Sequence, residues 1–226
     1  MSQVTFGTTL GGFGAGLVSG PTLCNWAEEI EQLGFDILFY RDHVLWHSPV
    51  LDPFTMLGAF AARTTTIKLG TGVLLLPLRN PTLVAKMIGT LDWLSNGRAI
   101  LGVGVGGEFQ KEYEACGVLL RERGARATEG LQVIKALWTD SSATVDGQFL
   151  QFENANMAPQ PLQKPHPPIG MTLISAKSKG GMIGGKLGYM PLSSNLVHQN
   201  TVAEHWKTYF QGAIDAGRGE PNRDIW

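Results

Sequence analysis

The sequence predicts a parallel α/β protein. Three observations carry that reading: short apolar runs alternate with amphipathic stretches along the whole chain, the runs are apolar on both faces, and strand-like runs follow one another directly in only one polar excursion. Strands covered on both faces belong to sheets with helices over them, and regular alternation implies right-handed crossovers.

The elements follow in order. "VTFGTTL", Val4 to Leu10, is a weak first strand that leads into the Gly-rich "GGFGAGLVSG". After Pro21, Leu23, Trp26, Ala27, Ile30 and Leu33 fall on one helical face, and Gly34 is the stop signal. "FDILFY" is too short for a helix and reads as a buried strand. "DPFTMLGAFAART" from Asp52 reads as a helix, "TIKLGTGVLLL" from Thr66 as one strand, and "NPTLVAKMIGTLDWLSNG" as a helix from Pro81 to near Gly97. "RAILGVGVG" is the fourth strand, followed by a helix around "EGLQVIKALW" and a hairpin in the polar excursion. "IGMTLI" is the fifth strand, "SKGGMIGGKLG" a helix weakened by glycines, "YMPLS" the sixth strand and "TVAEHWKTYFQGAIDAG" the last helix. A (β/α) barrel and an open doubly wound sheet both fit this series, and the chemistry at the strand ends favours the barrel.

Composition narrows the function classes. The 226 residues carry a formal net charge of -1, which gives no bulk attraction to phosphate backbones or anionic lipid, so neither nucleic acid nor membrane is an expected partner. The N-terminus has no basic start followed by an apolar run, and a cytoplasmic location is expected. No linker separates two units, so one domain over 1–226 is expected. Cys24 and Cys116 are widely spaced and read as packed thiols.

In such proteins functional side chains gather where strands hand over to helices. The strand "FDILFY" ends in Arg41-Asp42-His43, and an imidazole beside a carboxylate at that lip suits proton transfer near neutral pH. The bland alternative is that Asp42 caps the next segment and His43 merely packs. Gly70 and Gly72 would let a flat ring approach the next strand end. Gly102, Gly104, Gly106 and Gly107 lack the G-x-G-x-x-G order and read as close packing. "ISAKSKGG" offers free N–H groups, hydroxyls and ammonium groups to an anion, against the plainer reading of an exposed helix cap. Asp42 and His43 are neighbours in an extended run and point to opposite faces, which speaks against a metal-dependent hydrolase.

"LGFDILFYRDHV", "IKLGTGVLLLPLRNPTLVAK", "LDWLSNGRAILGVGVG", "RERGARATEGLQVIKALWT" and "GQFLQFENANMAPQPLQKPHPPI" together resemble the bacterial luciferase-like flavin-dependent oxidoreductase family, over essentially the whole chain. The resemblance implies a TIM-type (β/α)8 barrel and a cofactor that is reduced FMN used with O2, or the deazaflavin F420. It implies that His43 is the active-site histidine beside the cofactor ring, that a non-proline cis peptide lies near Gly72-Val73 under that ring, and that Ile174, Ser175, Lys177 and Ser178 form the phosphate-binding turn, with Gly104 at another strand end near the cofactor. Phe13, Trp46 and Met190 are then expected to line an apolar pocket. Luciferase has Arg where this sequence has Val105. Some deazaflavin members have Glu at the position of Gly107, where this sequence has its acid one residue later, at Glu108. "GYMPLSSNLV" looks more like the two-component FMN monooxygenases, and "GRGEPNRDIW" ends where the family enters its seventh strand, so a barrel truncated after the sixth βα unit is expected. The leading expectation is a monooxygenase that oxidises a small apolar organic molecule with reduced FMN from a separate flavin reductase. F420-dependent hydride transfer and a non-catalytic flavin-binding homologue are the alternatives, and a homodimer through the helices after the second and third strands is expected.

Overall fold

The computed structural model of the chain describes residues 5–10, 18–176, 178–194 and 197–221. Two compact units emerge, one spanning Phe6–Pro167 and the other built on the residues from Pro168 onward.

The larger unit runs β1 (Gly7–Leu10), α1 (Gly20–Gln32), β2 (Ile37–Tyr40), α2 (Pro53–Arg63), β3 (Lys68–Thr71), β4 (Leu74–Leu75), α3 (Pro81–Leu94), β5 (Ala99–Gly104), α4 (Gln110–Ala115), α5 (Arg123–Thr139) and the hairpin β6 (Ala143–Asp146) and β7 (Gln151–Ala155). β1, β2, β3 and β5 pair in that order, all parallel, and β4 pairs with β5 alone. The first three helices start in the same way, with a polar cap and a proline in the first turn. The side chains of Ser19, Asp52 and Asn80 accept from the backbone N–H groups of Thr22, Thr55 and Thr82 respectively. Alternation along β2 sends Leu38 and Tyr40 into the helix layer, where Tyr40 meets Phe60 edge-on at 5.9 Å.

Sequence and structure part in three places here. Trp26 and Leu33 are exposed, at 38% and 75%, because α1 ends at Gln32 and buries chiefly Leu23 and Ala27. The run from Thr66 is two strands rather than one. The hydroxyl of Thr71 donates to the Gly102 carbonyl at 2.7 Å and accepts from the Gly102 N–H at 3.0 Å, so a side chain replaces the backbone ladder where β3 stops. The third difference is α4, which the sequence reading passed over.

Helix-borne carboxylates hold the loops of this unit. Glu31 at the end of α1 accepts from the N–H groups of Thr65, Thr66 and Ile67 at 2.9, 2.7 and 2.8 Å. Glu129 on α5 accepts from Gln148, Phe149 and Leu150 in the hairpin turn. Burial pushes the Glu31 carboxyl up, but the bonds from Ile67, Thr66 and Thr65 outweigh it and hold the pKa at about 2.

The smaller unit runs β8 (Ile169–Leu173), α6 (Lys179–Leu187), β9 (Met190–Ser193) and α7 (Gln199–Asp215), with β8 and β9 parallel. The glycines of α6 weaken it as an isolated helix and give it a close partner. A Cβ on Gly185 would run into the Tyr209 carbonyl of α7, and one on Gly212 into the Met182 carbonyl of α6, so the two helices meet backbone to backbone.

Gly185→Ala should therefore destabilise the smaller unit by about 1–3 kcal/mol, measured by chemical denaturation. Glu31→Gln should cost about 1 kcal/mol at neutral pH, a figure discounted for solvent screening at a half-exposed site. Because the folded pKa of Glu31 lies at about 2, below the ordinary 4.5, its contribution is complete above 4.5 and is lost as pH falls through the folded value. The stability gap between wild type and variant should close over that window.

Candidate functional site

The segment after β2 runs on as Arg41, Asp42 and His43, and the partners of Asp42 and His43 come from elsewhere in the unit. Asp42, 2% exposed, does not cap the next helix. Its carboxylate accepts from the backbone N–H of Leu75 at 3.0 Å and from the Arg79 guanidinium at Nε (3.1 Å) and Nη2 (2.6 Å). Arg79 Nη2 also donates to Asp52, the cap of α2, at 3.2 Å. Burial works to lower the Arg79 pKa, and Asp42 with Asp52 outweighs it, so the guanidinium is held above its already high ordinary value.

His43 faces the other way, toward α4. Its Nδ1 lies 3.2 and 3.3 Å from the two carboxylate oxygens of Glu112, a residue 1% exposed. The same carboxylate accepts from the backbone N–H of Val44 at 2.5 Å and of Leu45 at 3.0 Å. A carboxylate only accepts here, so Nδ1 carries the hydrogen and Nε2 of the neutral ring carries the lone pair. The Trp46 indole stacks on the imidazole at 3.9 Å and 17°, Phe109 meets the indole edge-on at 5.9 Å, and the His47 ring lies tilted 4.4 Å from it. Val44 and Leu45 remain exposed beside this group. Asp42 and His43 thus hold two separate partners from opposite faces of one strand end.

α4 owes its place to Tyr113, whose hydroxyl donates to the Val105 carbonyl at the end of β5. Burial lifts the Tyr113 phenol to about 12, against the opposing charge of Arg123, so it stays a hydrogen-bond donor. Gly106, at φ +55°, sits where a Cβ would press on Leu75 and on that hydroxyl. The sequence carries a signal for α4, though none for what Glu112 faces. Phe109, Tyr113 and Cys116 recur at helical spacing and Gly117 ends the pattern, with φ +67°. Glu108, the acid singled out from sequence, is exposed and is not the carboxylate at the imidazole.

The peptide between Gly72 and Val73 is cis. Gly72 N–H donates to the Tyr40 carbonyl at 2.8 Å, which carries the β2–β3 pairing one residue past the end of β3. The expected hollow over Gly70 and Gly72 is filled on one side, however. A Cβ on Gly70 would lie 2.8 Å from the Phe39 ring and one on Gly72 would lie 2.7 Å from Phe39 Cβ, so on their Cβ side the small residues admit Phe39. Gly72 and Val73 themselves stay half-buried, and Gly104 ends β5 in full burial, paired with Leu75.

In the smaller unit the turn after β8 carries Ile174 and Ser175, both exposed, and Ser178, which caps α6 with backbone geometry but without a side-chain bond. Ser178 N–H donates to the Ser175 carbonyl at 2.9 Å. The buried His205 of α7, another residue the sequence reading did not single out, donates from Nε2 to that carbonyl at 2.8 Å, while its Nδ1 lies 3.0 Å from the Ser193 hydroxyl. Met190 begins β9 rather than ending it, about 10 Å of strand away from Ser193. Phe13 and Lys177 lie outside the described residues.

Taken separately, the larger unit offers an aromatic-flanked imidazole and a half-exposed Gly72-Val73 peptide at the ends of two paired strands, which suits a planar redox group. The smaller unit offers serine side chains at a helix start, which suit an anion. The family model described as luciferase-like monooxygenase matches residues 7–226. The F420-dependent glucose-6-phosphate dehydrogenase of Kineococcus radiotolerans is 35% identical over 151 residues, which make up 62% of this chain and 44% of that protein. Among solved structures, the monooxygenase RslO1 of Streptomyces bottropensis has a TM-score of 0.82 at 27% identity, covering 90% of this chain and 62% of its own. The oxygenating constituent of 3,6-diketocamphane monooxygenase of Pseudomonas putida, solved with FMN, has a TM-score of 0.86 at 22% identity, covering 97% of this chain and 64% of its own. The chain spans less than half the length of the Kineococcus dehydrogenase and under two thirds of both solved chains. The fold is the α/β, TIM-type fold of these enzymes.

Glu112 is the hinge of the site, and its replacement has a local readout. Hydrogen bonds to a charged group are worth about 1.5–3 kcal/mol, so Glu112→Gln should speed hydrogen exchange of the Val44 and Leu45 amides about tenfold or more. Amides distant from α4 should be unaffected.

Proposed function

This chain belongs to the luciferase-like monooxygenase family of oxidoreductases, and from that premise we propose that it is an F420-dependent dehydrogenase that oxidises a small organic alcohol. The observation that carries the reading is the His43–Glu112 pair. An imidazole with a buried carboxylate behind Nδ1 and a lone pair on Nε2 is built to take a proton from a substrate hydroxyl. The 35% identity to a protein named as an F420-dependent dehydrogenase supports the same choice.

When bound, the deazaflavin supplies the acceptor for the substrate's electron pair. The chain's own residues supply the rest. His43 Nε2 receives the hydroxyl proton, and Glu112 stabilises the resulting imidazolium through Nδ1–H without moving. The fixed acceptor also holds the ring in one orientation, which saves the entropy of arranging it at each turnover. Trp46 covers one face of the imidazole and, with Phe109, keeps water from it. Val73 and the Gly72 peptide would flank the ring from the neighbouring strand end. The turn from Ile174 to Ser178 is read as an anion-holding element, with the Ser178 hydroxyl and the free N–H groups of α6 as donors.

A second reading is oxygenation of a small apolar substrate with reduced FMN and O2, the flavin arriving from a separate reductase. The exposed Val44 and Leu45 beside His43, together with 27% identity to the monooxygenase RslO1, favour it. Here His43 holds a proton at the reacting oxygen and the apolar wall serves to exclude water. A homodimer through α2 and α3, the latter with Leu83, Met87 and Leu94 exposed, belongs to either reading.

Fluorescence titration with F420 and with FMN separates the two: tight binding of F420 alone supports the dehydrogenase, and FMN binding with reductase-coupled O2 uptake supports the oxygenase. His43→Ala should lower turnover by about 10²–10⁴-fold, the usual worth of a general base, while the dissociation constant of the cofactor changes little. Unchanged turnover would remove His43 from the chemistry.

A further inference from the structure

The segment from Asp42 to Asp52 carries His43, Trp46 and His47, and it contains no helix or strand. A loop of this length holds one shape only if its ends and its middle are tied. The middle is tied by Glu112 through Val44 N–H and Leu45 N–H. The two ends are tied by a single atom: Arg79 Nη2 donates to Asp42 at 2.6 Å and to Asp52 at 3.2 Å. The guanidinium is itself seated. Its Nε completes a fork on Asp42 at 3.1 Å, its carbon lies 5.5 Å from the centre of the Phe54 ring, and its backbone N–H donates to the Leu76 carbonyl at 3.0 Å.

We propose that Arg79 is a positioning residue that cinches the base of the 42–52 loop and so fixes His43 against Glu112. The physical argument is the asymmetry of the two bonds. Asp42 is fully buried and Arg79 is mostly so, so that pair is a fixed anchor. Asp52 is 43% exposed, so its bond to the same nitrogen is the latch by which the far end of the loop is held or released. Arginine is required because one planar fork must serve Asp42 through two nitrogens and still reach Asp52, a geometry that an ammonium cannot reproduce. The loop closure stands on geometry alone. Its bearing on turnover rests on the reading of His43 as the proton-handling group.

The test compares wild type, Arg79→Gln, Arg79→Lys and Asp52→Asn in the full chain, each checked for folding by circular dichroism. Carbethoxylation of the histidines by diethyl pyrocarbonate is followed residue by residue by mass spectrometry. His43, with 16% of its side chain exposed, should react slowly in wild type. It should react about tenfold faster in Arg79→Gln, the change expected if local opening becomes easier by one factor of ten, while His166 and His198 keep their rates. Arg79→Lys should fall between the two. Asp52→Asn keeps a good helix cap and weakens only the latch, so it should raise the His43 rate by a smaller factor even if Arg79→Gln does not fold. An unchanged His43 rate in a folded variant, or a parallel rise at all of these histidines, would overturn the proposal.

Turnover provides the second arm. In a His43→Asn background, Arg79→Gln should add no further loss, because a residue that acts only through His43 has nothing left to position. A further loss there would also overturn it. Absence of F420 and FMN binding would sink the proposed activity, and the carbethoxylation rates would still decide whether Arg79 closes the loop.

Discussion

One carboxylate organises the larger unit's chemistry. Glu112 lies almost fully buried and accepts from an imidazole and two backbone N–H groups, and the imidazole belongs to the residue just before those two amides. An acidic side chain taken out of water must be met by donors, and here the loop after β2 supplies them. The loop is thereby folded around the charge. The stack of Trp46 on the same imidazole adds to that hold. The catalytic reading of His43 is a by-product of the same constraint, since the bond that satisfies Glu112 also fixes the tautomer and direction of the ring.

The same device recurs at Glu31 and Glu129, each on a helix and each receiving three successive or nearly successive N–H groups of a loop. Loops in an α/β protein leave backbone donors without strand or helix partners, and a helix-borne carboxylate can accept from several at once. The site differs in that one of the three donors is a side chain capable of chemistry. Asp42 completes the arrangement from the other face of the strand end, where it takes Leu75 N–H and Arg79 and leaves His43 free for Glu112. Two adjacent titratable residues can serve opposite faces because successive side chains of an extended segment alternate.

Much of the fold was legible along the chain. The first three helices are announced by Pro21, Asp52 and Pro81 at their starts, and the strands by apolar runs too short for helices. The resemblance in the motifs implies the cis peptide that the structure has at Gly72-Val73. The misreadings have a common origin. Trp26 and Leu33 were assigned inward from periodicity, although periodicity gives a face and not its partner. Gly70 and Gly72 leave room on their Cβ side, and that room belongs to Phe39 of the adjacent strand. The glycines of α6 looked like weakness until α7 was seen to need them.

The sequence by itself determined the alternation of strands and helices, the family resemblance and a histidine at a strand end, because these depend on residues within a few positions of one another. Only the tertiary structure decided which acid faces that histidine. Glu108 and Glu112 are both close to the end of β5, and α4 presents the second rather than the first, 69 residues away from His43 along the chain. Such a pairing depends on where Tyr113 pins a short helix and on how Arg79 closes a loop, and neither constraint leaves a local pattern. Backbone periodicity is written in neighbours, whereas the environment of a charge is set by whatever the fold brings to it.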